Sequence, residues 1–207
     1  FLARLERVVR EKAAEYGLER RDGLAFLLPG RGLAVLNMTH VETPLDPVAF
    51  CERALQGKEQ VDRAVALLRA EMPDSFGHVR VRLYGTLGVR QTRWIVGAYQ
   101  LTVADVRQGT RFEDAVARTA WPIELHDRAE GYYWEPFPDG HLHYVPLRSM
   151  LPPDVDNLVV AGRCIDADPL ALSSVRVMGP CIAMGAAAAH ALWLSLDRSC
   201  SLHRLDV

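Results

Sequence analysis

Apolar residues recur over the first sixteen positions at Leu2, Leu5, Val8, Val9 and Ala13, with charge between them. That spacing predicts an amphipathic helix, and Gly17 suits its C-terminal cap. The period then changes. Residues 25–28 and 33–38 read as two strands, with Pro29-Gly30-Arg31-Gly32 as a hairpin turn between them. A turn at residues 43–47 leads to Asp46 as an N-cap. Residues 48–71 follow as one long amphipathic helix, or as two joined near Gly57, and Met72-Pro73-Asp74 stops it. Residues 79–84 alternate strictly and predict a half-buried strand. Residues 88–97 continue as strand or extended loop, and Thr102 to Asp105 open a short helix. Residues 112–118 predict another. An aromatic, histidine-rich and turn-rich stretch then closes on a strand at 144–147, and Leu151-Pro152-Pro153 reads as a hinge.

The chain is organised around residues 157–196. Leu158-Val159-Val160-Ala161 predicts a short strand buried on both faces. It ends on Gly162-Arg163, where a glycine permits close approach. After a polar loop, Gly179-Pro180 starts a long apolar helix, with Ala183, Gly185 and Ala186 to Ala189 as small residues for tight packing. Strand, glycine turn and helix N-terminus make a seat for an anionic or electron-rich ligand.

Composition narrows the function. With 49% hydrophobic and 24% charged residues, the 207-residue chain reads as soluble, globular and one or two domains. Lys and Arg number 24 against 26 Asp and Glu, a net charge of -2, which argues against nucleic acid or an anionic membrane as partner. The apolar run from Val177 to Leu196 is broken by Pro180 and His190 and reads as a protein helix, not a membrane span. Cys51, Cys164, Cys181 and Cys200 lack CxxC spacing, so reduced thiols in a cytoplasmic protein are expected. Phe1 already stands in a helical pattern, and the expectation is a piece of a longer protein.

Arg90, Arg93, Arg148, Arg163 and Arg176, with His126 and Tyr144, recur beside glycines and strand ends. Singly each arginine reads as structural. Together they can present forks to carboxylate, phosphate or a flavin carbonyl. His126 has Glu124 and Asp127 nearby to fix its tautomer and is a candidate base, the alternative being a structural histidine. His40 is a candidate for the same cleft, and His190 reads as a packed histidine. His141 and His143 share a strand face, but a third metal ligand is not identified, so no metal is expected. GxGxxG, a Walker loop and GxSxG are all absent from the sequence.

At these residues the chain resembles the FAD-dependent oxidoreductases, in particular the thiazole-biosynthetic-like and xanthan-lyase-like flavoproteins. The matching blocks are Asn37-Met38-Thr39, Leu87 to Gly97, Leu101-Thr102 with Asp105, and Pro122 to His126. Tyr144 to Pro152, Asn157 to Cys164, and Ser174 to Cys181 complete them. The resemblance implies an α+β fold: a mixed-sheet substrate domain over residues 1–155, then residues 156–207 as the strand and helix that complete a Rossmann-like FAD domain. It implies FAD as cofactor, with Gly162 and Arg163 near the phosphates or ribityl chain. Arg176, Gly179 and Pro180 would stand at the flavin pyrimidine edge, and Arg90, Arg93 and His126 on the substrate side. The reaction implied is hydride transfer from a small polar or anionic substrate to flavin N5. The final helix lacks a further glycine usual in the family, and the GxGxxG half is missing. An N-terminal FAD-binding half or a second copy of the chain is therefore the expected partner. The rival readings are a non-catalytic binding module without flavin and a small complete thiazole-forming enzyme.

Overall fold

Leu5 and Val9, one helical turn apart, are both fully buried on α1 (Leu2–Lys12). They pack with Leu67, Leu68 and Met72 from the end of a second helix, and this cluster is the core of the first unit. A 3-10 turn over Ala13–Tyr16 ends at Gly17, whose φ of 67° is the left-handed cap expected. Asp46 accepts the Ala49 N–H at 2.9 Å and starts α2 (Pro47–Glu71). α2 is one unbroken helix of 25 residues without a joint at Gly57. Pro73 then opens the single turn α3 (Pro73–Phe76). The hairpin forms as β1 (Leu24–Leu28) and β2 (Leu33–Asn37), antiparallel from Leu24↔Asn37 to Leu28↔Leu33.

The structure, a computed structural model, describes residues 1–205. It divides into two units, the first of Phe1–Thr92 with His126–Tyr132, the second of Arg93–Leu125 with the chain from Tyr133 on. The boundary placed at 155/156 falls inside the second unit, and Asp206 and Val207 of the 156–207 segment lie outside the described residues.

In the second unit, α4 (Val103–Gln108) is capped reciprocally by Thr102 and Asp105. β3 (Ala115–Thr119) pairs antiparallel with β6 (His143–Pro146), and β4 (Ile123–Leu125) with β5 (Tyr133–Glu135). α5 (Pro169–Val175) and α6 (Met178–Asp197) follow. Leu101, Ile123, Val145, Met150, Ile165 and Leu172 are fully buried and form its core. By length and composition alone, α6 could cross a membrane.

Five expectations are corrected. Residues 79–84 form no strand: the Val79 N–H goes to the Phe76 carbonyl at 2.9 Å, and Arg69 Nε takes the Val79 carbonyl at 2.8 Å, so no ladder starts there. Residues 112–118 are not a helix, because Ala117 and Arg118 pair with Val145 and Tyr144 in β3–β6. Leu158 to Ala161 form no strand and Leu158 is exposed; the Val160 N–H goes to the Met150 carbonyl at 2.9 Å, and no strand lies alongside among the described residues. The polar loop before α6 contains α5, begun by Asp168, which accepts the Ala171 N–H at 2.8 Å. The fold is α+β, with three separate two-stranded antiparallel sheets among the described residues in place of a mixed one.

Candidate functional site

Irregular backbone in the second unit is held together by Asp166, a carboxylate only 5% exposed. It accepts the Gly97 N–H at 2.8 Å and the Gln100 side-chain amide at 3.0 Å, while its own N–H goes to the Ser149 carbonyl at 2.8 Å. The Ile95 N–H reaches the Cys164 carbonyl at 3.0 Å. These bonds fix residues 162–166 against residues 95–100, and so fix where Gly162 and Arg163 stand.

Gly162 has a φ of 83°, a conformation that favours glycine, and a Cβ there would lie 3.6 Å from Cys181 Sγ. Cys181 belongs to the first turns of α6, and its thiol also contacts the Arg176 carbonyl at 3.1 Å. Burial pushes this thiol up, and the Arg163 charge partly offsets that. Of the residues expected to bind the cofactor, Gly162, Arg163 and the Arg176 carbonyl thus surround this sulfur, and Gly179 and Pro180 precede it in the first turn of α6. Val177 supplies no side-chain cap to α6 and Pro180 has no N–H, so Met178 and Gly179 carry the N–H groups of an exposed helix start. A Cβ on Gly179 would meet nothing within 4 Å. Arg176 Nη2 donates to the Glu124 carbonyl at 2.9 Å.

The other candidates are distributed differently. Arg93 is exposed at the start of the second unit. Arg90 and His126 belong to the first. The His126 ring lies 5.2 Å from that of Tyr132. Glu124 accepts the Trp121 indole N–H at 3.0 Å, and Asp127 lies 3.8 Å from Arg128. His40 is lowered by burial and then by the charges of Arg20 and Arg90, which puts Arg90 within electrostatic reach of that imidazole. Arg148 gives its fork to Asp114 at 3.0 and 3.2 Å, which makes it a structural arginine. His190 is exposed and stacks on Trp193 at 5.6 Å, so it is not packed in a core. Among the described residues no group of three or more His, Cys, Asp or Glu could hold a metal ion.

The sequence pattern of the FAD dependent oxidoreductases matches residues 3–207, nearly the whole chain. The chain belongs to the FAD dependent oxidoreductase family. No curated protein and no solved structure matches it.

FAD is thus the cofactor to which the site must answer. For an FAD dependent oxidoreductase, an α6 start without a side-chain cap and open space over Gly179 leave room and N–H groups for an electron-rich ring edge, with Arg176 two residues before that start. A glycine-rich turn for the pyrophosphate is absent from the sequence. Cys181 is the residue that sequence reasoning missed. Its place directly after Gly179-Pro180, and that of Cys164 directly after Gly162-Arg163, were the available signals.

Proposed function

We propose that this chain forms the flavin-edge and substrate-binding portion of an oxidoreductase acting on a small polar or anionic substrate. When bound, FAD supplies the hydride acceptor at N5. Arg176 and the Met178 and Gly179 N–H groups would stabilise negative charge at the pyrimidine edge, with Gly162 and Arg163 toward the phosphates or ribityl chain. On the substrate, Arg90 would bind an anionic group and His126, of the same unit, would remove a proton. Within the family we propose the thiazole-biosynthetic-like or xanthan-lyase-like flavoproteins as its relatives, and a cytoplasmic location without nucleic acid or membrane. The adenosine and pyrophosphate would be held by an N-terminal FAD-binding half or by a second copy, since GxGxxG is lacking.

The observation that carries this reading is the open start of α6, with Arg176 tethered beside it at Glu124. Arg176→Ala in the FAD-loaded protein is expected to slow flavin reduction by about 10²–10³-fold in stopped flow, while FAD retention changes little. Unchanged reduction kinetics would sink the assignment. A colourless protein that accepts no FAD would favour a binding module instead.

A further inference from the structure

Two imidazoles and a hydroxyl form a directed chain through the interior of the second unit. His143 on β6 and Ser174 on α5 are both fully buried. His143 Nε2 lies 2.8 Å from Ser174 Oγ, and its Nδ1 lies 3.3 Å from Nε2 of His141. Ser174 Oγ also lies 2.5 Å from the Trp121 carbonyl oxygen. A carbonyl only accepts, so the single hydroxyl proton goes to Trp121. The serine oxygen must then receive its second bond from the Nε2–H of His143. A neutral imidazole protonated there has a bare Nδ1, which accepts from the Nε2–H of His141. The order of donation is His141 to His143 to Ser174 to Trp121. Phe137 stacks on His141 at 4.1 Å and flanks His143 at 5.3 Å, shielding the chain with an apolar ring. Burial, and then the charge of His141, lower His143 to about 4, so the neutral form this order requires is the one present near neutral pH.

The chain ends where Arg176 is held. Ser174 stands two residues before Arg176, and the segment that accepts the serine proton at Trp121 accepts the guanidinium at the Glu124 carbonyl, 2.9 Å away. The Trp121 indole donates to the Glu124 carboxylate at 3.0 Å, tying the two anchor points to each other. Both ends of the α5–α6 junction thus depend on one short strip of chain.

We propose that His143 is a positioning residue, which by donating to Ser174 fixes the end of α5 and, through it, the Arg176 guanidinium at the start of α6. Its consequence for catalysis rests on the reading of Arg176 as the flavin-edge arginine. A buried histidine that only filled space would leave the arginine where it is when replaced.

The test uses the full chain and its variants at His143, Ser174 and Arg176. In ¹⁵N NMR near neutral pH, His143 is expected to show a protonated Nε2 and a bare Nδ1, and Arg176 an ordered guanidinium signal. His143→Phe, which has no donor, should average that signal. His143→Gln, which keeps an N–H donor, should preserve it. Should His143→Phe fail to fold, Ser174→Ala serves in its place, with Ser174→Thr as the conservative control. In the FAD-loaded protein, His143→Phe should slow flavin reduction about tenfold and add nothing to Arg176→Ala. A protonated Nδ1, an unmoved Arg176 signal in a folded donor-less variant, or additive losses would overturn the proposal. If Arg176→Ala leaves reduction untouched, the flavin reading of Arg176 fails. The NMR comparison still decides whether His143 positions the arginine.

Discussion

Gly97 and Asp166 approach so closely that a methyl group on the glycine would stand 2.9 Å from the aspartate Cβ. It would also lie 3.2 Å from the carbonyl oxygens of Arg148 and Ser149. Backbone on one side and a buried carboxylate on the other cannot both yield. Gly97→Ala should therefore lengthen the bond from the Gly97 N–H to Asp166 and cost roughly 1–3 kcal/mol of stability. Denaturant unfolding measures it, and a loss below about 0.5 kcal/mol would mean that the loops adjust freely.

Asp168 serves two helices. One carboxylate oxygen caps α5 through Ala171, and the other accepts the Val103 N–H at the start of α4 at 2.5 Å. Asp168→Ala should cost more than an ordinary cap, roughly 1–3 kcal/mol, and Asp168→Asn less. No loss in Asp168→Asn, which keeps one acceptor oxygen instead of two, would show that the second helix gains nothing from the carboxylate.

The buried His143 makes stability depend on acid. An imidazole ordinarily titrates near ~6.5, whereas in the fold burial and the His141 charge lower this one to about 4. Between those values the unfolded chain takes up a proton that the native chain refuses. Stability is therefore lost as pH falls through that window, with a full effect on the order of 3 kcal/mol. Unfolding of His143→Gln should be flatter over the same range, and parallel curves for the two proteins would contradict the shift.

His126→Ala should reduce turnover on the order of 10²–10⁴-fold with the flavin spectrum nearly intact, as for a lost general base. The ring's neighbour at 5.2 Å is Tyr132, so its orientation is supported by packing as well. Wild-type turnover with an unchanged pH profile would make His126 structural.

Local signals were legible wherever the chain needs only its neighbours. Asp46 before α2, the Pro29-Gly30 turn between β1 and β2, and Gly17 after α1 act within a few residues and stand where the pattern put them. The alternation of residues 79–84 describes a pleat, but Arg69 and Phe76 occupy the groups on Val79 that a partner strand would need. Residues 112–118 could satisfy a helical period, and the distant β6 decides for strand. The Asp168-Pro169 start of α5 carries an N-cap signal of its own, a short helix set in polar text. In the site, the two glycine turns were readable as separate features. The approach of Gly162 to Cys181 was not, because it depends on contacts between residues far apart in the chain, such as Gly97 with Asp166.

The assignment of His126–Tyr132 to the first unit means that the chain crosses from unit to unit three times, after Thr92, Leu125 and Tyr132. A transplant of residues 1–92 from a relative would leave His126 behind in the host and separate the Arg21 N–H from its native acceptor, the Glu130 carbonyl 3.1 Å away. Exchange of the first unit between family members by grafting must move both pieces together, since it cannot be inherited in a single cut.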